Sequence, residues 1–118
     1  MNDWIETLAT LRKTAGNFGK ANPPVAKAFS GLNESLGQSV HLDEKTRELI
    51  ALAVAVTTRC DGCFSAHAAA AQKAGATREE VAEALGTAIA LNAGAAFVYS
   101  SRALEAFDQF GTPITRQA

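Results

Sequence analysis

The sequence predicts an all-α fold, a single-domain bundle of about six helices. Three observations point there. Apolar residues make up 47% of the 118 residues, and alanine, the strongest helix former, is the largest part of that share. No stretch sustains the alternation or the β-branched enrichment of a strand. Helix punctuation recurs along the chain: capping residues ahead of apolar periodic segments, and glycine behind them.

The elements follow in order. Trp4, Leu8, Leu11 and Ala15 repeat at helical spacing, with Gly16 as the expected end of a first helix. "NPP" at 22–24 starts a second helix, because proline is preorganised for a first turn. Its apolar stripe is Val25, Phe29, Leu32 and Leu36, and Gly37 closes it. Asp43 is the expected N-cap of a third helix, whose run from Leu49 to Val56 is apolar on nearly all sides, as in a central buried helix. Thr57, Thr58 and Arg59 break the chain, and a fourth helix runs from about Asp61 to Ala74 with Gly75 as its stop. Thr77 and Glu80 spell a capping box for a fifth, with Val81, Leu85, Ala88 and Ile89 facing inward. A kink or break at 92–94 separates it from a last helix carrying Phe97, Val98, Leu104 and Phe107. The organisation expected is N-terminal helices over 1–40 packing on a core at 41–110, with a frayed tail at 111–118.

The net charge is −1 and the charges are spread, which argues against a nucleic-acid partner. The start, "MNDWIETLATLRK", lacks the basic and apolar regions of a signal peptide, and no apolar run reads as long enough to span a bilayer. The expected location is the cytoplasm, with no membrane partner. No GxGxxG or P-loop appears, so no nucleotide cofactor is expected.

The chain has two cysteines, Cys60 and Cys63, and His67 follows four residues after the second. Four residues apart on one helix, Cys63 and His67 share a face, so the imidazole can take the thiol proton. Both cysteines sit at a helix start, where unpaired amides and the dipole favour thiolate. Their spacing permits a reversible disulfide without much backbone movement. If the third and fourth helices form an antiparallel hairpin, Glu48 lands opposite His67, giving a carboxylate, imidazole and thiol relay. The plainer readings stand beside this one. The cysteines are small buried residues or half of a zinc site, although zinc needs four ligands and His41 is the other histidine. Glu48 is a solvated helix residue paired with Arg47 or Lys45. Asp61 is a first-turn dipole residue.

The pattern from "ELIALAV" to "CDGCFSAH" resembles the alkyl hydroperoxidase D branch of the carboxymuconolactone decarboxylase-like family. The likeness covers roughly 43–107 and includes the spacing of twelve positions from Glu48 to Cys60. It implies a thiol-dependent hydroperoxidase in which Cys63 attacks the peroxide, Cys60 resolves it, and His67 and Glu48 relay the proton. It also implies a small hydroperoxide substrate, a dithiol or lipoyl-protein reductant, and a helical homo-oligomer, a trimer or hexamer. Related enzymes can carry a histidine between the cysteines, where this chain has Gly62. A general disulfide reductase and a non-enzymatic oligomeric subunit are the alternative readings.

Overall fold

The computed structural model describes residues 2–38 and 40–112. Its elements are α1 (Trp4–Ala21), α2 (Pro23–Leu36), α3 (Glu44–Thr58), α4 (Asp61–Lys73) and α5 (Arg78–Gly111), with no strand among the described residues. The fold is all-α, with five helices where the sequence suggests about six.

Two boundaries differ from expectation. Gly16 does not end α1, because a glycine within a helix costs only about 1 kcal/mol relative to alanine and does not by itself stop it. Asn22 and Pro23 stop it instead. Asn22 leaves helical geometry at φ −138°, closes α1 and caps α2 by accepting the Val25 amide at 3.4 Å. Nor does the chain break at 92–94. The Asn92 side-chain amide donates to Thr57 Oγ1 at 2.9 Å and to the Ala88 carbonyl at 2.7 Å, which ties it into α5 and onto α3. The two expected helices are therefore one of 34 residues. At that length α5 is long and apolar enough to cross a membrane by length and composition, contrary to the sequence expectation that no such run exists. Of the expected tail, Gly111 ends α5 and Thr112 caps it, while 113–118 lie outside the described residues.

Two N-caps fall at the expected residues, and a third falls on a cysteine. Asp43 accepts the Thr46 amide at 2.7 Å. At Thr77 both halves of the capping box form, with Glu80 N–H donating to Thr77 Oγ1 and Thr77 N–H donating to Glu80 Oε1. Cys60 caps α4. The C-termini of α3 and α4 close alike, with an amide reaching back five residues in each. Cys60 N–H bonds the Ala55 carbonyl, and Ala76 N–H bonds the Ala71 carbonyl. The left-handed residue is Gly75 (φ 86°) in one and Arg59 (φ 55°) in the other.

Helices α3 and α4 form an antiparallel hairpin, and α5 returns beside α3. Lys45 Nζ to Glu80 Oε2 (2.8 Å) links the starts of α3 and α5, and Thr57 to Asn92 links them twelve residues further on, so the two run parallel in one register. Leu52, Ala55, Ala71 and Ala88 are the buried apolar side chains at this junction. The third helix is therefore not buried all round: Ile50, Val54 and Val56 are exposed, because α4 and α5 cover only part of its circumference. Ile89 is also exposed, as α5 turns Val81, Ala84, Leu85 and Ala88 inward toward α3. Helix α1 lies on α4, where Trp4 and Phe64 meet edge to face at 4.9 Å between centroids. Helix α2 packs on α1 and leaves its stripe exposed. The radius of gyration is 20.1 Å, against roughly 13–14 Å for a compact chain of this length.

The Lys45–Glu80 link carries a pH signature. The hydrogen bond from Lys45, and then the Thr77 amide, hold the Glu80 carboxyl below its ordinary value of 4.5. The same contact raises Lys45 above 10.5. Glu80 thus contributes stability that is present above its unfolded value and is lost as pH falls through the lowered one. The Lys45 contribution is present below 10.5 and is lost as pH rises through the raised value. Thermal melts from pH 7 to 3 should show wild type losing more stability on the acid limb than Glu80→Gln. Equal acid dependence in the two proteins would mean that the pair carries none of it.

Candidate active site

The reversal between α3 and α4 builds the site. Arg59 turns the chain in the left-handed region, and Cys60 follows as the N-cap of α4 with extended geometry. Cys60 Sγ takes the place of a capping oxygen and accepts the Cys63 amide at 3.1 Å. Cys60 and Cys63 are joined as a disulfide with their Cα atoms 5.2 Å apart, inside the range such a bond requires. Cys60 is half-buried and Cys63 is exposed.

One helical turn beyond Cys63, His67 Nδ1 lies 2.6 Å from Glu48 Oε2. The Glu48 side chain keeps 17% of its exposure and that of His67 36%. An ionised carboxylate only accepts hydrogen bonds, so Nδ1 carries the proton and a neutral His67 keeps its Nε2 lone pair free. The structure thus brings together Cys60, Cys63, His67 and Glu48. Glu48 pairs with neither Lys45 nor Arg47: Lys45 goes to Glu80, and Arg47 Nη1 donates to the Leu42 carbonyl at 2.9 Å. Asp61 remains an exposed first-turn acid. Among the described residues, no three of His, Cys, Asp and Glu converge as metal ligands.

Sequence reasoning missed two neighbours of the site. The first is α1. A Cβ built on Gly62 would stand 3.6 Å from Leu11 Cδ1, so α1 flanks the residue between the cysteines. The Trp4 and Leu11 spacing marked an amphipathic helix but not what it covers. The second is an open groove of about 510 Å³ that reaches Cys63 and His67 and is walled by Leu36, Leu42, Ile50 and Val54. Its signal was the apolar excess on α3, read instead as burial. A larger cleft, about 800 Å³, lies between Leu52, Phe64, Val81 and Leu85, and neither cysteine lines it.

The fold and site define a class: a small all-helical protein with a dithiol at a helix start and a carboxylate-held histidine beside it. Residues 23–106 match the carboxymuconolactone decarboxylase family, and the chain belongs to that family. It is 57% identical over 105 residues to an uncharacterized protein of Haemophilus influenzae, covering 89% of this chain and 93% of that one. It is 35% identical over 94 residues to uncharacterized protein 4 in the cox locus of Paracoccus denitrificans, covering 80% of this chain and 85% of that one. A crystal structure of a protein from Methanobacterium thermoautotrophicum is similar with a TM-score of 0.67 and 36% identity, covering 72% of this chain and 96% of that one. Helix α1 lies outside the family match, so the cover over Gly62 comes from beyond the shared core.

The tautomer assignment is open to measurement. At a pH where the imidazole is neutral, nitrogen-15 shifts of the wild type are expected to show Nδ1 protonated and Nε2 bare. In Glu48→Leu the imidazole should populate both tautomers. An unchanged tautomer in that variant would remove Glu48 as the orienting group.

Proposed function

We propose that this protein is a thiol-dependent hydroperoxidase of the alkyl hydroperoxidase D type. The observation that carries the reading is the His67–Glu48 contact at 2.6 Å, one helical turn from an exposed Cys63 that is already paired with Cys60. In the reduced protein His67 takes the Cys63 proton through Nε2. The Cys63 thiolate attacks one oxygen of the hydroperoxide and the O–O bond breaks. The sulfur becomes a sulfenic acid, and the alkoxide leaves with the proton from His67. The Cys60 thiol then attacks that sulfur, water departs, and the disulfide forms.

Return to the dithiol needs two electrons from a dithiol or a lipoyl-bearing protein. Its thiolate attacks the exposed Cys63 sulfur, and Cys60 leaves as a thiolate. The Cys63 amide at 3.1 Å and the α4 dipole stabilise that leaving group. This chemistry belongs in a reducing compartment, the cytoplasm. The exposed Cys63 also supports a second reading, a general disulfide reductase acting on another protein's disulfide.

We further propose that the protein works as a homo-oligomer, a trimer or hexamer. Past Asn92, α5 packs on none of the other described residues' helices, and Phe97, Phe107 and Phe110 are 83%, 74% and 90% exposed among the described residues. Such a face on a soluble chain is covered by another copy.

Cys63→Ser should abolish hydroperoxide turnover, and full turnover in that variant would sink the assignment. One equivalent of hydroperoxide should remove two hydrogens from the reduced wild type by mass. His67→Ala should slow peroxide consumption by about 10²–10⁴-fold. Faster reaction with a model disulfide than with an organic hydroperoxide would favour the reductase reading. Light scattering at micromolar concentration should give three or six times the chain mass, and Phe97→Glu with Phe107→Glu should lower it. A wild-type monomer would refute the assembly.

A further inference from the structure

The groove beside the sulfurs holds one group that the proposed redox chemistry does not use. Arg47 is half-buried and lines the same groove as Cys63 and His67. It has no carboxylate within ion-pair distance among the described residues. One guanidinium nitrogen, Nη1, donates to the Leu42 carbonyl at 2.9 Å, which holds the side chain against the loop before α3. An arginine has five N–H donors, so most of its capacity stays open. No acidic side chain lines the groove, and its walls are aliphatic. The nearest acid in sequence, Asp43, is engaged as the α3 N-cap.

An arginine without an acid at the rim of an aliphatic groove fits an apolar molecule with an anionic head. The register sets the distance. Arg47 adjoins Glu48, which faces His67, His67 is four residues beyond Cys63, and the guanidinium reaches back to the Leu42 carbonyl, so it stands well over one helical turn, on the order of 10 Å, from the level of the sulfur.

Resting on the hydroperoxidase reading, we propose that Arg47 is a specificity residue that binds the carboxylate of an apolar, carboxylated hydroperoxide such as an oxidised fatty acid. The alkyl chain lies against Ile50 and Val54, and the O–O bond meets Cys63. The products are the hydroxy acid, one water and the Cys60–Cys63 disulfide, with electrons and protons balanced as in the steps above.

The test compares head groups. Fully reduced protein is mixed with linoleic acid hydroperoxide or with its methyl ester, and thiol loss is followed by stopped flow. Wild type should react with the acid about tenfold faster than with the ester, the scale of one charge-assisted hydrogen bond near a surface. The acid-to-ester ratio should fall to near one in Arg47→Ala and recover in part in Arg47→Lys. A wild-type ratio of one, or a ratio unchanged in Arg47→Ala, overturns the inference. Calorimetry on the oxidised protein with octanoate and with octanamide reads the site without turnover: octanoate should bind more tightly, and the difference should vanish in Arg47→Ala. If no hydroperoxide reacts but octanoate binds through Arg47, the hydroperoxidase reading fails and the anion site stands. If both hydroperoxides react and the two octanoyl probes bind alike, the anion site fails and the hydroperoxidase reading stands.

Discussion

Arg59 holds the left-handed conformation at φ 55°, and that one residue sets where every group of the site falls. Its geometry closes α3 through the Cys60 amide and the Ala55 carbonyl, which delivers Cys60 to the N-cap of α4. From there the helical repeat dictates the rest: Cys63 in the first turn, His67 one turn later, both on the face that meets α3. Glu48 meets His67 because the two helices leave the turn side by side. A longer or looser connection would let the hairpin shift by a residue, and the carboxylate would miss the imidazole. The non-glycine in a conformation that favours glycine is a local cost carried next to the chemistry.

The same hairpin explains why the protein is open rather than compact. Helix α3 is covered by α4 on one side and α5 on another, and on the third side the described residues supply only the end of α2 and the loop after it, at Leu36 and Leu42. That side becomes the groove that reaches Cys63 and His67, where apolar walls meet a histidine and an arginine. Helix α5 follows α3 in parallel until Asn92 and then runs on alone. Its aromatic distal half and the α2 stripe are amphipathic faces left exposed by the described residues. Site and unfinished surface thus have one cause, a core of three helices that buries few side chains fully.

Legibility in the sequence followed the range of the interactions. Caps were readable because each is a contact three residues long: Asp43 with Thr46, Thr77 with Glu80. The grouping of these side chains was readable because periodicity joins Cys63 to His67, and one short turn is enough to count across to Glu48. Gly16 misled because a glycine signals a stop only when the chain needs a left-handed residue there, and in α1 the stop comes from Pro23. Asn92 misled for the converse reason: its side chain is satisfied by Thr57, 35 residues away, a partner that no local pattern displays. The apolar run of α3 was taken for burial on all sides, when half of it faces a groove.

By itself, then, the sequence determined the helical class, most helix boundaries and the composition of the thiol, imidazole and carboxylate set, since these depend on residue type and on spacing within a few turns. Only the tertiary structure decided that α5 is one helix, that α1 flanks Gly62 through Leu11, and that Arg47 shares a groove with Cys63. Those facts depend on which surfaces of distant segments come to lie together. That is set by packing of whole helices, and a side chain's own neighbours in the chain carry no record of it.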